Sequence, residues 1–234
     1  ILSAKKDYFA ARNDRPVQTK MNVERFACGD YLANCYILTD EDTGKSIMID
    51  APFETERLIK RVAEIKFDMQ MILITHRHID HLAAAARCKA LTLADVYIHR
   101  LDECGLYSVH DSLASALNMC TDSFSPIRAD LCFEDEETVI PFGSHDIRVL
   151  HTPGHTAGGV CYIIDDMLFS GDTLFKESVG RTDFPSGNSD ELKTSLQRLY
   201  LLKGDYKVFP GHGDTTALGY ERENNPYIKE AIIL

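Results

Sequence analysis

Three things are missing from this 234-residue chain, and each removes a class of function. It has no long apolar run. No stretch approaches the ~20 residues that a membrane-spanning helix needs, and the polar first twenty residues hold no apolar core of signal-peptide length. It has no Cys-x-x-Cys pair. Its seven cysteines are odd in number and scattered from Cys28 to Cys161, which argues against a disulfide framework and a zinc ribbon. Reduced thiols in a cytoplasmic protein are the expectation. It is also short of cations, with 25 Lys and Arg against 36 Asp and Glu and a net charge of −11. Phosphate backbones and anionic membrane surfaces demand clustered Lys and Arg, so nucleic acid and membrane are poor partners and a small molecule is the expected one. Nothing in the sequence sets the oligomeric state.

What is present suits one sizeable domain, with 44% hydrophobic and 26% charged residues. Residues 1–20, polar and mixed in charge, read as an N-terminal extension, and residues 21–234 as the domain itself. Within it, the apolar run Ile72-Leu73-Ile74 opens through Thr75 into His76-Arg77-His78-Ile79-Asp80-His81. A run of that length suits a buried strand, and four potential metal ligands follow within six residues. His76 and His78, two apart in an extended loop, point the same way, while Asp80 and His81 sit where an apolar segment begins a helix. Three further candidates follow at strand-to-loop junctions, each preceded by glycine: His155 in Pro-Gly-His-Thr, Asp172 in Ser-Gly-Asp-Thr and His212 in Pro-Gly-His-Gly. Glycine lets the backbone turn tightly beside a bound group. Seven ligands from four loops suffice for two metal ions.

In that order, His-x-His-x-Asp-His, Pro-Gly-His-Thr, Ser-Gly-Asp-Thr and Pro-Gly-His-Gly resemble the metallo-β-lactamase superfamily, across roughly residues 21–227. The segment from Gly171 to Pro185, with its Gly-Asp-Thr-Leu-Phe and Gly-Arg-Thr-Asp-Phe-Pro phrases, is most similar to the glyoxalase II-like hydrolases of the short bacterial type. The resemblance implies that His76, His78 and His155 hold one ion, that Asp80, His81 and His212 hold a second, and that Asp172 bridges them. Asp80 and Asp172 are the candidate catalytic residues of the set. Nitrogen and carboxylate donors without thiolates suit zinc, and also iron or manganese. Two divalent ions about 3.5–4 Å apart can hold a bridging hydroxide by lowering the pKa of water from ~15.7 towards ~7, and that hydroxide is the expected nucleophile. The substrate the resemblance implies is an S-acyl glutathione or a related thioester. Arg181 stands where a cation for the glutathione moiety is expected, since a guanidinium grips a carboxylate with two hydrogen bonds; Lys176 is nearby. Arg181 reads equally well as an ordinary ion pair with Asp183. The runner-up function is a persulfide dioxygenase, which shares the fold and the Gly-Arg-Thr-Asp phrase but uses one iron held by two histidines and an aspartate. His212 in its Pro-Gly-His-Gly context favours two metals.

Patterning along the chain supplies the scaffold. Strands are expected at 23–26, 34–38, 46–50, 69–75, 95–99, 146–150, 160–164, 167–169 and 207–209, with a turn-rich stretch at 39–44. Helices are expected at 54–65, 106–121 and 190–201, and a surface loop at 121–137. Two similar halves predict an α/β fold of four layers, αββα, in which two mixed sheets pack face to face with helices on the outer faces and the site lies at one edge. His99, His145 and His151 read as structural, with His151 the one placed to support a ligand loop, and His110 as solvated.

Overall fold

Alternation along the strands fixes the layering. In the computed structural model, which describes residues 20–116 and 124–233, the first sheet runs in chain order: β1 (Met21–Cys28), β2 (Ala33–Asp40), β3 (Ser46–Ile49), β4 (Met69–Leu73), β5 (Asp95–His99) and β6 (Leu131–Phe133). β1 to β3 pair antiparallel and β3 to β6 parallel. Successive side chains point to opposite faces of a strand. Cys35, Ile37, Met48, Ile72, Ile74, Val96 and Ile98 accordingly pack under α1 (Glu56–Glu64) and α3 (Ala85–Thr92). Their neighbours Tyr36, Leu38, Ile47, Ile49, Met71 and Leu73 face the second sheet.

The second sheet has the order β14-β13-β10-β9-β8-β7. Its strands are β7 (Glu137–Phe142), β8 (His145–His151), β9 (Val160–Ile164), β10 (Met167–Gly171), β13 (Lys207–Pro210) and β14 (Thr216–Ala217). Only β10 and β13 run parallel. Val160, Tyr162, Ile164, Phe169 and Phe209 meet the first sheet, while Cys161, Ile163, Leu168 and Val208 pack under α4 (Ser189–Tyr200) and α6 (Pro226–Ile232). The result is the expected αββα order. Between β10 and β13 the chain forms a short hairpin, β11 (Leu174–Phe175) and β12 (Ser178–Val179). Buried Glu221 in α5 (Leu218–Asn224) accepts from the backbone N–H of Glu177 at the tip of that hairpin (2.8 Å).

Two expectations are corrected. Residues 106–116 do not make the helix expected over 106–121. A 3₁₀ segment covers Arg100–Leu106, the chain then turns through residue 116, and residues 117–121 lie outside the described residues. Leu113 is left-handed (φ +64°), which ends any α-helix, and the carbonyl of Ser112 accepts from Ile79 N (2.9 Å) at the start of α2 (Ile79–Leu82). The segment therefore packs against the start of α2. The surface loop expected at 121–137 contains strand β6, whose Phe133 is buried between the sheets. Residues 1–19 and Cys120 also lie outside the described residues. The other six cysteines are free thiols. No helix among the described residues is long and apolar enough to cross a membrane.

Candidate metal centre

Parallel pairing of β3 with β4 sets Asp50 beside Thr75 at the sheet edge, where Asp50 N bonds the Leu73 carbonyl (2.9 Å). From there the candidate donors arrive on four segments of the chain. His76 and His78 leave β4, Asp80 and His81 open α2, His155 follows β8, Asp172 follows β10, and His212 follows β13. All seven sequence-derived candidates converge. Three donor groups, each within 4.8 Å internally, emerge: His76, His78 and His155; Asp80, His81 and His212; and His76, His81 and Asp172. Asp172 reaches both sides. Its Oδ1 is 3.4 Å from His81 Nε2, and its Oδ2 is 3.6 Å from both His155 Nε2 and His212 Nε2.

The outer nitrogens of the rings decide what the inner ones offer. Thr75 Oγ1 donates to Asp50 Oδ2 (2.8 Å), so it accepts from His76 Nδ1 (3.0 Å). His81 Nδ1 donates to Asp50 Oδ2 (2.8 Å), His155 Nδ1 to the Arg181 carbonyl (2.7 Å), and His212 Nδ1 to the Tyr31 carbonyl (2.9 Å). These bonds select the tautomer that leaves each Nε2 as a lone pair facing inward. His78 turns its Nδ1 inward instead, 2.9 Å from His155 Nε2.

Electrostatics agree with a cation site. Burial opposes a charge on His81, yet the carboxylates of Asp172, Asp80 and Asp50 outweigh it and hold the imidazole up to about 10. His212 is raised as well: burial opposes its charge, and Asp80 and Asp172 prevail. Burial and neighbouring imidazoles press His76 and His78 well below the ordinary range.

Three residues that the motifs did not reveal hold this arrangement. Asp50, left-handed at φ +56°, serves His76 through Thr75 and His81 directly. Asn34 and Tyr36 fix the last loop: Asn34 Nδ2 donates to the Pro210 and Gly213 carbonyls (2.9 and 3.1 Å), and Tyr36 Oη to Pro210 O (2.7 Å). Beneath them Tyr36, Phe169 and Phe209 form an aromatic cluster with centroids 4.8–5.5 Å apart. A carboxylate closing an apolar strand was the available signal for Asp50; Asn34 carried none beyond its strand.

Other candidates fall outside the cluster. The Arg181 side chain is exposed, doubly bonded to Asp183 (2.6 Å each) and stacked 4.0 Å over Phe184. Lys176 is exposed in the β11–β12 hairpin. His99 and His151 stack on each other at 4.1 Å, and His151 Nε2 donates to the Ala157 carbonyl (2.9 Å), steadying the loop after His155. His110 is exposed.

The sequence pattern of the metallo-β-lactamase superfamily matches residues 28–212. The chain belongs to this superfamily. Hydroxyacylglutathione hydrolase GloC of Haemophilus influenzae is 31% identical to it, over 89% of this chain and 98% of that one. A protein solved in a di-iron-bound form is 34% identical, covers 88% of this chain and all of its own (100%), and superposes with a TM-score of 0.73. ETHE1 from Myxococcus xanthus is 27% identical, covering 88% of this chain and 83% of its own, with a TM-score of 0.71. As in a metallo-hydrolase of the superfamily, the donors here fit a metal. Three atoms of the cluster's residues, His76 Nε2, His78 Nε2 and Asp172 Oδ1, are buried without a hydrogen-bond partner among the described residues, and for His76 Nε2 and Asp172 Oδ1, which face the cluster, a cation would complete the set. Gly211 makes room for the close approach, because a Cβ there would come within 2.2 Å of Asp172 Oδ1.

Proposed function

We propose that this metallo-hydrolase is a glyoxalase II-type thioesterase, cleaving S-acyl glutathione or a related small thioester in the cytoplasm. The observation that carries the reading is the pair of three-donor groups with Asp172 reaching both. In this reading His76, His78 and His155 hold one ion, Asp80, His81 and His212 the other, and Asp172 is shared. Zinc is the first choice and iron or manganese the alternatives. When bound, two such ions supply an acidified water as nucleophile and polarise the thioester carbonyl.

The protein's own part is placement. Asp172, with Oδ1 nearest His81 and Oδ2 between His155 and His212, fixes the two positions relative to each other, and Asp80, 3.3 Å from His212 Nε2, orients the second. Arg181 exchanges Asp183 for a carboxylate of the substrate. Phe184 keeps the guanidinium beside the cluster, with its ring 5.8 Å from that of His78. Lys176 offers a second cation next to Phe175, which packs 6.1 Å from His212. The likeness to hydroxyacylglutathione hydrolase over nearly its whole length supports thioester chemistry.

The likeness to ETHE1 supports a second reading, a mononuclear iron persulfide dioxygenase. His212, drawn into a group with Asp80 and His81, favours the first. Elemental analysis of protein purified without added metal, run beside hydrolysis of S-lactoylglutathione, tests the choice. About two ions per chain with thioester cleavage, lost in Asp172→Ala and His155→Ala, is the expected outcome. One iron per chain, no thioester cleavage, and oxygen uptake with glutathione persulfide would overturn it.

A further inference from the structure

Asp102 lies in the 3₁₀ segment after β5, an element without a metal ligand, yet its carboxylate is fully buried. Its Oδ2 accepts from Arg77 N (3.1 Å) and Thr156 Oγ1 (2.6 Å), and its Oδ1 from Gly158 N (3.0 Å). The Arg77 guanidinium, itself buried, places Nε 4.0 Å from Oδ1 and donates from Nη2 to the Pro185 carbonyl (2.7 Å). Space around the group is closed. A Cβ on Gly105 would lie 2.4 Å from the Arg77 carbonyl, and one on Gly158 would lie 2.7 Å from Asp102 itself.

These partners are selective. Arg77 sits between His76 and His78, and Thr156 follows His155, so the carboxylate touches the backbone or side-chain neighbour of every member of one donor group. It bonds no neighbour of the other. His81 is held by Asp50, and the His212 loop by Tyr31, Asn34 and Tyr36. We infer that Asp102 is a positioning residue for the His76–His78–His155 position alone, Asp50 being the brace that the two positions share. A buried carboxylate that accepts from two loops at once fixes the distance between them, as outer partners of metal ligands do.

The inference rests on the two-position reading, and the test separates the two. Zinc is titrated into metal-free His212→Ala, which keeps the braced position, and into metal-free His155→Ala, which keeps the other, each with and without Asp102→Ala. In the His212→Ala background, Asp102→Ala is expected to weaken zinc binding about 10–100-fold. In the His155→Ala background, the same change shifts it by no more than about twofold, as for a site that shares no partner with Asp102. Equal weakening in both backgrounds, or none in either, overturns the inference. Should Asp102→Ala fail to fold by circular dichroism, Thr156→Val, which removes one donor at constant size, must show the same asymmetry in smaller measure. A wild-type protein that binds a single zinc would sink the two-position reading itself, and this inference with it.

Discussion

Asp40 shows how a single buried carboxylate can join the sheets far from any metal. It closes β2 at the opposite end from the cluster and accepts from Asp42 N (2.9 Å), Thr43 Oγ1 (2.7 Å), Ser144 N (2.9 Å) and Ser144 Oγ (3.1 Å), the last two in the turn between β7 and β8. Burial alone would raise its pKa, but the hydrogen bonds from Thr43 and Ser144 prevail and hold it well below the usual carboxylate range. A lowered folded-state value stabilises the protein above the unfolded value near ~3.9, and that stabilisation is lost as pH falls through the folded one. Asp40→Ala should therefore cost about 1–3 kcal/mol in urea unfolding at pH 7, and its gap to wild type should narrow below about pH 4. From sequence, Asp40 was legible only as part of a turn-rich stretch, because its partner Ser144 is 104 residues away. Arg181 is the converse, singled out in the sequence and found paired with Asp183. If it serves a substrate carboxylate, Arg181→Ala should raise KM for S-lactoylglutathione about tenfold with kcat little changed. An unchanged KM would leave it a surface ion pair.

At the scale of elements, the sequence was most readable where hydrophobic period and chemistry coincide. The strand β4, its ligand loop and the following helical turn are one such case, since a buried apolar run leads directly into donors. The helix expected at 106–121 does not form over 106–116 because its apolar spacing competes with tertiary demands: Leu113 is left-handed and the Ser112 carbonyl bonds the start of α2. Strand β6 escaped notice because three residues, Leu131–Phe133, are too few to show alternation. The last helix, α6, was not among the expected ones, although Asn225-Pro226 carried its signal: Asn225 Oδ1 caps Tyr227 N (3.0 Å) and proline takes the first helical position. Gly180, in the phrase Gly-Arg-Thr-Asp, has a reason that only the three-dimensional arrangement shows. A Cβ there would stand 1.9 Å from the Asp172 carbonyl and 2.9 Å from His155 Nδ1. Gly180→Ala should force apart the loops that bear both residues, at a cost of about 1–3 kcal/mol. In thermal melts the loss should be larger for the zinc-loaded protein than for the metal-free one.

Taken as a whole, the molecule gathers candidate donors from both sheets in one cluster, so a metal bound there would couple its binding to sheet docking. Chelation with EDTA should lower Tm by about 5–10 °C relative to protein holding free zinc roughly a hundredfold above its dissociation constant, and zinc should restore it. Zinc binding must displace the proton that the metal-free protein holds on His81 up to about 10, so the zinc-dependent part of Tm should grow as pH rises from ~7 to ~9. The alternation in β2 carries one more consequence. Asn34, Tyr36 and Leu38 share the face toward the second sheet, and two of them grip the His212 loop. A single inserted or deleted residue in β2 would rotate that pair to the helix side while leaving the strand as apolar as before. The two-residue pleat thus acts as a vernier: it indexes the loop that carries His212, whose Pro210 lies 176 positions from Asn34, and any change of length in this strand must come in pairs of residues.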